Sequence, residues 1–148
     1  MGRLASLAVA IVATAGGPAW SDEAQSAFQV SLQVPVRLAL QPVGEPARIT
    51  VTERDLARGY VDVSANYHVS HNDRRGYLLQ IVRLGGIARE VRVSGLGGTV
   101  VVAGDAVEMY RDGRVFEQDV ALEFRLMLDE GVEPGTFGWP VALSAQPL

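Results

Sequence analysis

The chain has 148 residues, no cysteine, and thirteen basic residues, all arginine, against seventeen acidic ones. A net charge of −4, with no basic stripe, argues against a nucleic-acid partner or an anionic membrane surface. Without cysteine, no disulfide can staple the fold, so stability must come from a packed core.

The first 21 residues differ from the rest. Arg3 is the only charge before Asp22, and Leu4 to Gly17 is apolar or small. Gly16-Gly17-Pro18 then breaks any helix, and Ala19 and Ser21 place small residues on either side of Trp20. A charged start, a short apolar stretch and a small-x-small site predict a secretory signal peptide over 1–21, cut before Asp22. The apolar run is shorter than the ~20 residues a spanning helix needs. The remainder, 22–148, has 127 residues and carries twelve arginines against seventeen acids, a net charge of −5. It is expected to be a single domain with no integral membrane segment, exported to the periplasm or the cell surface.

Phe28, Val30, Leu32, Val34, Val36, Leu38 and Leu40 alternate with more polar residues, which predicts a long first strand. Pro35 within it cannot donate a ladder hydrogen bond, so this strand belongs at an edge, a bulge or a bend. Gln41 to Pro46 reads as a loop, and Ile49 and Val51 as a short strand. Glu53 to Gly59 is polar and reads as one helical turn or a wide loop. A strand from Tyr60 to about Val69 and another over Tyr77–Leu84 flank the turn Ser70–Gly76 and are predicted to form a hairpin. Val91 and Val93 mark a further strand, joined through the Ser94–Gly98 turn to Thr99–Val102. Ala106–Tyr110 and Val120–Leu128 follow, and Thr136–Ala145 closes the chain, with Pro140 marking a kink or an edge. The pattern is all-β. It fits an immunoglobulin-like antiparallel two-sheet sandwich of about eight strands, with a small barrel as the competing architecture.

No catalytic or metal-binding pattern stands above background. His68, His71 and Asp73 are close in sequence, but a metal site needs three or four converging ligands, and no cysteine or third histidine can join them. Ser64 or Ser70 with His68 and Asp73 lacks the Gly-x-Ser-x-Gly elbow of a hydrolase. Asp112, Glu117, Asp119 and Glu123 read as ordinary solvent-face charges, Glu123 because it alternates with apolar residues. The glycines of Ser94–Gly98 precede a strand rather than the helix a phosphate loop requires. The chain is therefore expected to be no enzyme and to take no cofactor. Asp73-Arg74-Arg75-Gly76-Tyr77 is an exposed turn that could meet a ligand.

The alternating opening strand Phe28 to Leu40, the turn Ser70–Tyr77 and the closing Pro134-Gly135-Thr136-Phe137-Gly138-Trp139-Pro140-Val141-Ala142-Leu143-Ser144-Ala145 together resemble bacterial pilin-like sandwich proteins of the chaperone–usher and spore-coat-protein-U kind. The resemblance implies a structural or adhesive subunit of a surface fibre, partnered by other subunits, a chaperone and an usher. In that family an incomplete sandwich is completed by a strand from a neighbour. Phe28, Val30, Leu32, Val34, Val36 and Leu38 would be the exchanging side chains. Two features depart from the pattern: there is no disulfide, and only Asp22–Ala27 precede Phe28, so either Phe28–Leu40 is itself the donated strand or it pairs within its own chain and the domain is complete. A periplasmic glycan- or ligand-binding module is the alternative, with Arg74, Arg75, Tyr77 and Trp139 as contacts, joined by Tyr60, Tyr67 and Phe137.

Overall fold

The computed structural model describes Val34–Leu148. The leader over 1–21, and Phe28, Val30 and Leu32 of the first predicted strand, lie outside the described residues. The chain forms β1 (Leu38–Pro42), β2 (Arg48–Val51), α1 (Glu53–Arg58), β3 (Tyr60–His71), β4 (Tyr77–Arg83), β5 (Ala88–Ser94), β6 (Val100–Val102), β7 (Ala106–Arg111), β8 (Glu117–Leu128), β9 (Gly135–Gly138) and β10 (Val141–Pro147). All pairing is antiparallel. One sheet runs β1-β3-β8-β5-β6, a second β10-β4-β7, and a two-stranded sheet pairs β2 with β9. Among the described residues no helix is long and apolar enough to cross a membrane.

Alternation sets the faces. On β3, Val61, Ala65, Tyr67, Val69 and His71 are buried, while Asp62, Ser64 and Asn66 point to solvent. On β8, Leu122, Phe124, Leu126 and Leu128 are buried opposite exposed Glu117, Asp119, Glu123 and Arg125. Tyr77, Leu79 and Ile81 of β4 and Val141 of β10 meet them in a single core, which Ile49 and Val51 of β2 also join. A register shift between Ala88 and Glu90 lets both Ala88 and Val91 turn inward on β5.

The helix is the helical-turn option for Glu53–Gly59, and its ends are local. Thr52 Oγ1 accepts from the Asp55 amide at 3.3 Å, and Asp55 Oδ2 accepts from the Thr52 amide at 3.0 Å, a reciprocal capping box. Those Thr52 bonds, reinforced by Arg58, hold the Asp55 carboxyl down at about 2. Gly59 ends the helix at φ 80, and its amide donates to the Asp55 and Leu56 carbonyls.

Several sequence expectations are corrected. Tyr60–His71 and Tyr77–Arg83 do not form a hairpin. Both edges of β3 are taken by β1 and β8, so Asn72–Gly76 carries the chain across to the second sheet, where β4 lies between β10 and β7. The first strand is shorter than its alternation: Val34–Arg37 is not strand, and β1 extends into Gln41–Pro42, which read as loop. The closing segment is two strands. Trp139-Pro140 interrupts it, because Pro140 has no N–H for a ladder, and the chain passes from β2 as partner to β4. Among the described residues ten strands form, against the expected eight or so. The β5–β6 hairpin forms as expected, with Val91, Arg92 and Val93 opposite Val102, Val101 and Val100.

Candidate functional site

The ligand-contact residues drawn from the sequence do not share a surface. Tyr77 is 2% exposed, and its hydroxyl accepts from Gln118 Nε2 at 3.3 Å; it is a core residue, because position 77 is the first inward position of β4. Trp139 is half-buried, edge-on to Phe124 at 5.1 Å, and its Nε1 donates to Glu45 at 2.7 Å. Tyr67 is buried and donates to the same Glu45 oxygen at 2.8 Å. Burial first, and then the Glu45 carboxylate, push the Tyr67 phenol well above its ordinary value. Phe137 packs against the core. Arg74 and Arg75 are exposed, and Arg75 is held by Asp73 at 2.6 Å. That bond lowers the Asp73 carboxyl below the usual carboxylate range.

The imagined His-Ser-Asp cluster comes apart for a geometric reason. His68 and His71 fall on opposite faces of β3, as residues three apart on a strand must. His71 turns inward between Tyr77 and Phe116, at ring distances of 5.3 and 5.6 Å, and neither ring nitrogen has a hydrogen-bond partner. Ser64 donates to Glu123. Among the described residues no group of three or more His, Asp or Glu side chains is arranged to hold a metal ion.

His68 lies on the outer face of the five-stranded sheet, where β8 faces it with two carboxylates. Its Nδ1 is 2.7 Å from Asp119 and its Nε2 3.3 Å from Glu117. The Asp119 hydrogen bond, with the charges of both carboxylates, raises the imidazole above its ordinary value, against a smaller desolvation effect. A raised folded-state value means the charged imidazole stabilises the fold fully below about pH 6.5 and loses that effect as pH rises through the raised value. Both carboxylates are exposed, so the effect is small and screened by salt. The melting-temperature gap between wild type and His68→Gln is expected to be widest below pH 6.5 and to close in mildly alkaline buffer. A gap independent of pH would refute the ion pair.

Each large sheet has two open edges among the described residues, β6 and β7 being paired on one side only like β1 and β10. β10 pairs with β4 alone and β1 with β3 alone, so each leaves an outer edge without a strand partner among the described residues. Leu38 and Leu40 of β1 and Leu143 and Ala145 of β10 pack against the core. No family model, curated protein or solved structure matches the chain. Leu38 is paired at home, opposite His71, and Pro42 opposite Tyr67. Just ahead of it, Val34 and Val36 are 64% and 47% exposed, although they continue the apolar alternation. Asn72 clamps this segment: it accepts from the Arg37 amide at 2.6 Å, donates from its side chain to the Pro35 carbonyl at 2.8 Å, and donates its own amide to the Arg37 carbonyl at 3.1 Å. Arg37, Leu38, Ala39, Ser70, His71 and Asn72 line a groove of about 320 Å³ there. By sequence Asn72 is a turn residue, and no local pattern marks its role.

Proposed function

We propose that this chain is an exported, non-enzymatic, immunoglobulin-like sandwich that serves as a structural or adhesive subunit of a surface fibre, joined to neighbouring copies by β-strand exchange. The strand order supports the architecture. Taking β1, β3, β4, β5, β8 and β10 as strands A to F in chain order, the first sheet contains the series A-B-E-D and the second pairs F with C, as in immunoglobulin-like sandwiches. In those sandwiches a strand G lies beside F. Here no strand is hydrogen-bonded to the corresponding edge of β10 among the described residues, although β1 lies near it.

The observation that carries the reading is this unpaired edge in a chain whose sequence continues the apolar alternation ahead of β1, with Val34 and Val36 exposed. A strand edge is a row of unpaired backbone donors and acceptors, and an extended segment with alternate apolar side chains is its natural complement. Leu38 to Pro42 already pair with β3, so this reading assigns the exchange to Phe28 to Val36, a segment that would have to release the Asn72 bonds to Pro35 and Arg37. The partners are other copies of the chain, with a chaperone and an usher handling the exposed edge during export. The ligand-binding alternative loses its aromatic contacts, since Tyr77 and Trp139 are engaged in the core.

The native protein is expected to give ladders on unboiled SDS gels that collapse to monomer on boiling. Val30→Asp with Leu32→Asp, which would place charges in the exchanged strand, is expected to abolish the ladder without lowering the melting temperature. A protein that stays monomeric at high concentration by light scattering, with Phe28–Val36 protected from protease, would overturn the exchange.

A further inference from the structure

The outer face of the five-stranded sheet carries a second feature, independent of strand exchange. Strand register places two rows of polar side chains across three strands. Asp62 of β3, Arg125 of β8 and Arg92 of β5 form one row; Ser64, Glu123 and Ser94 form the next. Thr99 extends the second row through a 3.2 Å contact with Ser94. Asp62, Arg92, Ser94, Thr99, Glu123 and Arg125 border an open groove of about 530 Å³.

Two arginines directly opposite one another on adjacent strands cost stability through like-charge repulsion. Each is steadied by one carboxylate. Asp62 takes Arg125 with both oxygens, at 2.7 and 3.1 Å, and Glu90 takes the Arg92 Nε at 2.6 Å. Arg125 is further flattened over the Tyr60 ring, 4.2 Å from its centroid. The Arg92 Nη groups have no partner among the described residues and remain able to donate. Beside them Glu123 presents a carboxylate engaged, among the described residues, only by Ser64.

The lining chooses the ligand's charge. Arg92 and Arg125 balance Asp62 and Glu123, so the groove is neutral in a chain of net charge −4. An anion would meet two carboxylates and a cation two arginines. A neutral polyhydroxyl chain would meet the free Arg92 Nη donors and the Glu123 carboxylate acceptor on neighbouring strands, and a hydroxyl can serve both. We propose that this groove binds a neutral oligosaccharide, with the Arg92 guanidinium donating to it and the Glu123 carboxylate accepting from it.

The test is amide and arginine Nε chemical-shift mapping on the whole mature protein. The probes are neutral hexasaccharides of glucose, mannose, galactose and N-acetylglucosamine at millimolar concentration, with oligogalacturonate as the anionic control. At least one neutral probe is expected to shift signals confined to Asp62–Ser64, Arg92–Ser94 and Glu123–Arg125. Arg92→Ala and Glu123→Gln are each expected to weaken it about tenfold while leaving the melting temperature within a few degrees. Glu123→Gln keeps an acceptor for Ser64, so it guards against a loss that reflects folding. Silence from every neutral probe, preference for the anionic control, or shifts centred on another surface would each overturn the proposal.

Discussion

Glu45→Ala is expected to be among the most damaging single side-chain truncations in the domain, costing about 3 kcal/mol of folding stability. Glu45 sits in a half-buried loop position, and one of its oxygens accepts from both the Tyr67 hydroxyl and the Trp139 indole. Hydrogen bonds to a charged acceptor are worth about 1.5–3 kcal/mol each, and removing the acceptor orphans two donors in a partly buried site. Tyr67 is 2% exposed, so its orphaned hydroxyl bears the full desolvation cost. Melting temperature should fall by about 10 °C. Glu45→Gln keeps an oxygen acceptor and is expected to lose about a third as much. Tyr67→Phe made in the Glu45→Ala background removes one orphan, so the pair should cost less than the sum of the two single changes. Urea denaturation of wild type and the four variants measures all of this, and a Glu45→Ala variant as stable as wild type would show the carboxylate to be idle.

This network also marks where sequence reading stops. Its two bonds span 22 and 94 residues, and Glu45 lies in a stretch whose Pro and Gly content says only loop. By contrast, the faces of β3 and β8 are legible, because a period of two is a local property and every other residue from Leu122 to Leu128 is apolar. Which strand lies beside which is not local. A polar turn between two strands looks the same whether it closes a hairpin or crosses between sheets, and Ser70–Gly76 crosses. Alternation is likewise silent about where a strand ends: Val34 and Val36 continue the pattern of Leu38 and Leu40, yet they face solvent. The two rows of the saccharide groove were present in the sequence only as scattered charges. Their juxtaposition needs the registers of β3, β8 and β5 together, and Arg92 and Arg125 are far apart in the chain.

The crossing turn is where the second large effect is expected. Gly76 has φ 92, a backbone conformation that side chains resist, and a Cβ there would fall on the Arg111 carbonyl oxygen. Gly113 has no such dihedral, but a Cβ on it would collide with the Asp73 carbonyl and the Gly76 amide. The 73–76 turn and the turn after β7 are therefore packed backbone to backbone, with glycine on both sides of the contact. Neither can yield alone, since the Gly76 amide is bonded to the Asp73 carbonyl and the Tyr110 hydroxyl donates to the Arg75 carbonyl. Gly76→Ala and Gly113→Ala are each expected to cost about 3 kcal/mol or more, the overpacking range. Gly59→Ala supplies the control. Gly59 also has positive φ, but nothing lies near its missing Cβ, so only the left-handed strain of about 1 kcal/mol applies. If the collision dominates, Gly113→Ala, without dihedral strain, will still destabilise far more than Gly59→Ala in thermal unfolding. Equal losses at the two sites would mean that the turns part readily and that the crossing between sheets is held elsewhere.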